Sequence, residues 1–376
     1  MIVRINIIIS ILFLVIVFSG TNQVNAARGD TLLNGLKIET KIHYGSVFPH
    51  NSGVAFVLDK NIKEVEFTLS TESKDRHIWE QLYRNPRYGI GYNFTNLGNK
   101  ELLGDVHTVF GFIDMPFYRS KNYFSVSYQI DMGLSYFTTT FEPYTNPLNH
   151  IVSSPLNVYL GLDFIARYKL NKTNELKIAL ELTHNSNGKT RTPNLGLNAV
   201  TLSGAWIYSI KPSQPIKNNL SISKFRKHDI VFLLNFGGKR DDNLHENVYL
   251  VSSIIGDYSY FFSPRFAFGV GADGFYDGAL AQHRKFSEGV AQNSSDNFQL
   301  GAHIGMKARY GRMTVLLDTG HYVVANYYRH GKVYSRLGLR YAVTDNVLFN
   351  LTLKAHITIA DFIEWGIGYR FNTKGQ

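Results

Sequence analysis

The sequence predicts an all-β protein, a transmembrane antiparallel β-barrel of the outer-membrane type with about 12–16 strands. Three observations lead there. The first residues have the form of an export leader. No later stretch is as long and apolar as a membrane-crossing helix. What recurs instead is a two-residue alternation in segments of roughly 8–13 residues, separated by turn-rich stretches. Composition agrees: 44% of the 376 residues are hydrophobic, with 26 Phe and 23 Tyr, and only 18% are charged, below the roughly 25% of an ordinary soluble domain. The absence of cysteine excludes disulfide scaffolds, zinc-thiolate sites and a cysteine nucleophile. A formal net charge of +10 suits an acidic partner. Export makes that partner an anionic membrane face, with no nucleic acid expected.

Along the chain, Arg4 precedes an almost unbroken apolar run from Ile5 to Phe18, and Val24-Asn25-Ala26 offers a small-x-small exit. Residues 1–26 therefore read as a signal peptide cut after Ala26, since about 20 apolar residues are needed to span a bilayer. Residues 27–376 read as one barrel. Its strands are expected at Leu36 to Gly45, Val65 to Ser70, Tyr88 to Phe94, Tyr123 to Gly133, Val158 to Leu170, Leu176 to His184 and Asn198 to Ile210. They continue at Asp229 to Gly237, Asn247 to Phe262, Arg265 to Tyr276, Phe298 to Tyr310, Met313 to Val324, Val333 to Tyr341, Val347 to His356 and Phe362 to Phe371. In Val158-Tyr159-Leu160-Gly161-Leu162-Asp163-Phe164 the even positions are all apolar, as a lipid-facing row requires. Tyr258, Tyr260, Phe261, Phe262 and Phe266 are expected as an interfacial girdle. The segment Lys211 to His228, with Pro212 and Pro215, is the nearest approach to a domain boundary and reads as one long turn.

Chemistry concentrates in Leu180-Glu181-Leu182-Thr183-His184-Asn185-Ser186-Asn187-Gly188 and the residues through Asn198. Asn187-Gly188 alone would be a hairpin turn. Parity adds more: Ile178, Leu180 and Leu182 form a lipid-facing row that His184 and Ser186 continue, and Asn198 belongs to the row of Val200, Leu202 and Trp206. Pairing 182 with 200 places His184 opposite Asn198. An imidazole two residues from Ser186 on one face can take the hydroxyl proton, and Asn198 can fix the ring by accepting its second N–H. Backbone N–H groups near Gly188 or Asn194, with Asn187 in support, would receive an oxyanion. The implied reaction is acyl transfer to water from a lipid ester at the membrane interface.

His184-x-Ser186-Asn187, with Pro193-Asn194, Gly196 and a residue fourteen after the histidine, resembles the lipid A 3-O-deacylases, also called acyloxyacyl hydrolases. That resemblance implies an outer-membrane serine carboxylic-ester hydrolase whose lipid-facing Ser and His remove an acyl chain from lipid A, without cofactor. Its usual third member is Glu, where this chain has Asn198. His184-x-Ser186-Asn187-Gly188 with Asn198 is also similar to outer-membrane phospholipase A, which implies a phospholipid substrate, a possible homodimer and calcium. Eight strands suffice for the first family, so the length of this chain is in excess. The alternative from another class is a non-catalytic barrel or porin.

Other candidates carry less. His50-Asn51-Ser52 repeats the spacing, with Glu64 fourteen after the histidine, but Gly53 follows the serine, and Glu64 alternates with Val65 and Phe67, which turns it to the lumen. Glu181 faces the lumen by the same parity. His283, His303, His321, His330 and His356 show no metal-ligand spacing, so no metal site is expected. Asp241, Asp242 and Glu246 read as an exposed acidic turn, and Gly237-Gly238-Lys239 opens no helix and cradles no phosphate.

Overall fold

The computed structural model describes residues 35–371 except 50–53, 56–57, 59–60, 74–76, 121–122, 189, 213–224, 241–246 and 358. The expected leader, the His50/Ser52 pair, and Asp241, Asp242 and Glu246 lie outside the described residues. No described helix is long and apolar enough to cross a membrane.

Sixteen antiparallel strands are described, and they close as two rings of eight. The first ring comprises β1 (Leu36–Val47), β2 (Ile62–Glu72), β3 (Arg87–Asn96), β4 (Asp105–Arg119), β5 (Phe124–Phe137), β6 (Leu156–Lys169), β7 (Asn174–Ser186) and β8 (Leu197–Ser209), with the short helix α1 (Ile78–Leu82) between β2 and β3. Each strand pairs with the next and β8 returns to β1, with Lys37 opposite Ser209 and Val47 opposite Ala199. The second ring comprises β9 (His228–Arg240), β10 (Val248–Phe261), β11 (Phe266–Asp277), β12 (Phe298–Tyr310), β13 (Met313–Ala325), β14 (Val333–Ala342), β15 (Val347–His356) and β16 (Ile359–Phe371), with α2 (Leu280–Glu288) between β11 and β12. Here β16 returns to β9, with Phe371 opposite Ile230.

The alternation has an outward apolar and an inward polar phase, the reverse of a water-soluble domain and the solution a bilayer demands, since closure pairs the backbone groups that lipid cannot. On β1, Ile38 and Ile42 face out while Lys37, Glu39, Lys41 and His43 are buried inside. On β9, Ile230, Phe232, Leu234 and Phe236 face out and Asn235 faces in. The inward charges are paired. Lys41 lies 2.8 Å from Glu66, 3.2 Å from Glu181 and 3.5 Å from Asp163, Lys177 is 2.8 Å from Glu39, and Arg167 pairs with Asp114. Ionised groups withdrawn from water require such partners.

Three expectations change. The single barrel through 27–376 is two closed barrels, which accounts for the length in excess of eight strands. Of the segment expected as one long turn, Lys211 to His228, residues 213–224 lie outside the described residues. An additional strand, β4, escapes the alternation because its inward row carries Phe110 and Phe112, packed against Tyr159, instead of polar groups. Phe261 leaves the expected girdle: it is buried, with the Arg309 guanidinium 3.5 Å over its ring. Tyr258, Tyr260 and Phe262 are exposed as a girdle requires.

One end of the first barrel is filled by an apolar cluster including Val47, Ile62, Leu97, Phe137, Ile151, Val152 and Ala199. Asn146 and Asn149 tie its loop to the Leu102 carbonyl at 3.0 and 2.9 Å. The loop at 150–153 is thereby fixed beside the ends of β7 and β8.

Candidate active site at the rim of the first barrel

The β7–β8 hairpin pairs Leu180 with Leu202, Leu182 with Val200 and His184 with Asn198, the register that parity predicts. His184 Nδ1 lies 2.6 Å from Asn198 Oδ1. An amide oxygen only accepts, so Nδ1 carries a proton, which in the neutral ring leaves the lone pair on Nε2. A base that is to take a hydroxyl proton needs that tautomer.

Ser186 ends β7, opposite Val158 of β6, in the same row as His184. His184 and Asn198 are half-buried, whereas Ser186 is only 8% exposed. The expectation that all three side chains stand open to lipid is therefore corrected for the serine, which sits beneath the returning chain. Gly196 lies over both: a Cβ there would be 3.1 Å from His184 Cε1 and 3.5 Å from Ser186 Cβ, so both side chains border one small space.

Hydrogen bonds fix that returning chain. Leu195 N–H donates to the His150 carbonyl and Gly196 N–H to the Ile151 carbonyl, each at 3.0 Å. Asn187 N–H donates to Asn194 Oδ1 at 3.3 Å, and Asn187 Nδ2 to Ser153 Oγ at 3.4 Å. Phe48 N–H donates to the Asn198 carbonyl at 2.7 Å. Asn187 and Asn194 thus hold the turn together through a hydrogen bond of their own, and the backbone N–H groups of 187, 195 and 196 are engaged. His150, Ile151, Ser153 and Phe48 were not predicted here. They arrive from other loops, and no local pattern marks them.

The remaining acids fall where parity puts them. Glu181 is buried in the lumen against Lys41 and Ser203. Glu64 is likewise inside and accepts from Asn93. Neither shares the face of His184.

Gly196 has φ of +76°, where a side chain is strained, and its missing Cβ leaves room for the imidazole. Gly196→Ala should lower ester hydrolysis by about ten- to a hundredfold through displacement of His184, with the barrel still folded. Turnover equal to the parent at matched folded fraction would show that this close approach does not position the ring.

Closed antiparallel rings that are apolar outside and ion-paired inside define the chain as an outer-membrane β-barrel protein. Residues 65–206 match the family described as lipid A 3-O-deacylase (PagL), and residues 228–373 match the family described as acyloxyacyl hydrolase, C-terminal domain. The first barrel thus resembles the lipid A 3-O-deacylases, and the second resembles the C-terminal domain of the acyloxyacyl hydrolases. No curated protein sequence matches it. Among solved structures it is similar to Neisserial surface protein A (9% identity, 47% of this chain and 97% of that chain covered, TM-score 0.32). It is also similar to the outer membrane enzyme PagL (14% identity, 44% and 97% covered, TM-score 0.31). A mutant Rhodopseudomonas blastica porin matches at 9% identity over 89% of this chain and 99% of that chain, with a TM-score of 0.17.

Proposed function

We propose that the first barrel is an outer-membrane lipid esterase that removes an ester-linked acyl chain from lipid A through Ser186, His184 and Asn198. The observation that carries this is the 2.6 Å contact between His184 Nδ1 and Asn198 Oδ1, in the row that Ser186 continues and within the segment matching the lipid A 3-O-deacylase family. Ser186 Oγ attacks the ester carbonyl while His184 Nε2 takes its proton. The tetrahedral oxyanion is received by a backbone N–H of the turn at Gly188 or Asn194, and collapse expels the sugar hydroxyl with the proton returned from His184. Water activated by the same imidazole then cleaves the acyl-serine. No cofactor takes part in these steps.

Asn198 is neutral, so it orients the imidazole but stabilises its charged form less than a carboxylate does. Asn198→Ala should lower turnover by about ten- to a hundredfold, and Asn198→Glu should retain or raise it, since Glu is the residue usual in the family. Parental activity in Asn198→Ala would remove the residue from the site.

The phospholipase A reading shares the same nucleophile and base, and His184, Ser186, Gly188 and Asn198 fit it. Mass spectrometry of lipids from membranes with and without the protein separates the two. Loss of one acyl chain from lipid A supports the deacylase. Lysophospholipid formation that calcium stimulates would replace it with the phospholipase, and unaltered lipids would leave a passive barrel.

A further inference from the structure

The lumen of the second barrel holds a group of charged side chains that ester hydrolysis does not use. Asp257 on β10, Asp273 on β11, His303 on β12 and Asp318 on β13 come from four consecutive strands, and all are buried. Asp273 accepts from Arg336 Nη1 at 3.2 Å, from the Tyr334 hydroxyl, and from His303 Nδ1 at 2.7 Å. A carboxylate so surrounded is acceptor only, so the Nδ1 of His303 carries a proton. Its Nε2 faces Asp257 and Asp318, each 4.0 Å away, beyond hydrogen-bond reach.

Among the described residues, neither His303 Nε2 nor either carboxylate oxygen of Asp318 has a hydrogen-bond partner. Asp257 is held by Lys307 and, at 2.6 Å, by Arg340. Asp318 lies 3.8 Å from Arg336, and Arg336 is already bonded to Glu364 at 2.7 Å and to Asp273. A buried carboxylate without a donor is costly. The donor atoms of Asp257, His303 and Asp318 lie within 4.8 Å of one another, about the span of ligands around one ion at bond lengths of roughly 2.0–2.2 Å. The space is provided by glycine: a Cβ at Gly271 would collide with the His303 ring, and one at Gly305 with the Asp318 carboxylate.

We propose that this cluster binds one divalent transition-metal ion of the zinc type through His303 Nε2, Asp318 and Asp257, with Asp273 holding the imidazole as a supporting acceptor. The first barrel provides the contrast. His43, Glu66 and Glu181 are grouped in the same manner, but the Lys41 ammonium stands among them at 2.8 Å from Glu66 and 3.2 Å from Glu181. A side chain supplies the cation there. In the second barrel Lys307 bonds to Asp257, and the cation nearest Asp318 in an ion pair, Arg336, stays 3.8 Å away and gives its hydrogen bonds to Glu364 and Asp273. The ion would join β10, β12 and β13 across the lumen and act as a staple.

The test uses the full chain, without an affinity tag, folded in detergent and stripped by a chelator. Zinc titrated calorimetrically should bind at one per chain and raise the temperature at which the folded form is lost in a heat-modifiability assay, while magnesium should do neither. Asp318→Asn and His303→Gln should each weaken zinc binding at least tenfold. X-ray absorption of the zinc-loaded parent should show one imidazole among oxygen ligands, a readout independent of whether the variants fold. Absence of zinc binding would overturn the proposal. Binding unchanged in both variants, or a multi-imidazole shell, would place the ion elsewhere and overturn it equally.

Discussion

Ser186→Ala and His184→Ala should each reduce ester hydrolysis by at least about a thousandfold while leaving a folded, heat-modifiable barrel. Nucleophile and base act as one unit, so the double variant should be scarcely worse than either single one. Neither side chain holds the barrel together. Ser186 is the last residue of β7 and His184 sits on the outer face, so the ion-paired lumen is untouched by either change. The measurement is hydrolysis of a lipid ester in mixed micelles, corrected for folded fraction. Two additive partial losses would show that the residues do not form a proton relay. Full activity in Ser186→Ala would remove the nucleophile assignment, and the hydroxyl of the His50-x-Ser52 pair would then be the next to change.

The second large effect concerns stability. Lys41 is 1% exposed and has three carboxylates around it. Lys41→Met keeps the volume and removes the charge, taking from Glu66, Glu181 and Asp163 the one ammonium that lies within 3.5 Å of all three. Breaking a buried pair in this way costs about 3–5 kcal/mol. Urea titration of the folded barrel in detergent should show that loss, and Lys41→Met combined with Glu66→Gln should recover part of it, because the two residues touch. An unchanged midpoint would mean that water or a proton already compensates these carboxylates. Glu181 precedes His184 by three residues on the same strand, so activity should fall with temperature earlier in Lys41→Met than in the parent.

What the sequence made visible follows from what is local. Alternation is a property of each strand by itself, so the strands from Leu36 to Phe371 could be found, and the hairpin between Leu182 and Val200 could be put in register because both rows are apolar up to the polar ends. The pairing of His184 with Asn198 needed nothing more. Closure is different. Whether β8 pairs with β1 or continues to β9 depends on hydrogen bonds between strands far apart in the chain, and no residue of β8 announces the choice. Strand β4 was missed because Phe110 and Phe112 fill the lumen with rings where polarity was expected. Phe261 was misplaced because an aromatic among aromatics was read as a girdle, although its parity opposes that of Tyr258 and Tyr260. The cover over Ser186 was invisible for a similar reason, since it depends on carbonyls of His150 and Ile151. His303 has no neighbour in sequence with which to form a ligand motif, and its companions come from three other strands.

The filling of the first lumen has an electrical meaning for the membrane that contains it. A conduit for ions needs a continuous column of water, and such a column would leave inward side chains accessible along its length. Lys37, Glu39, Lys41 and His43 are instead at most 6% exposed, locked to opposite charges, and Val47, Ile151 and Val152 close one end with hydrocarbon. A ring of this kind is an insulator: its described lumen offers no continuous water column and so adds no leak for salts, protons or small nutrients.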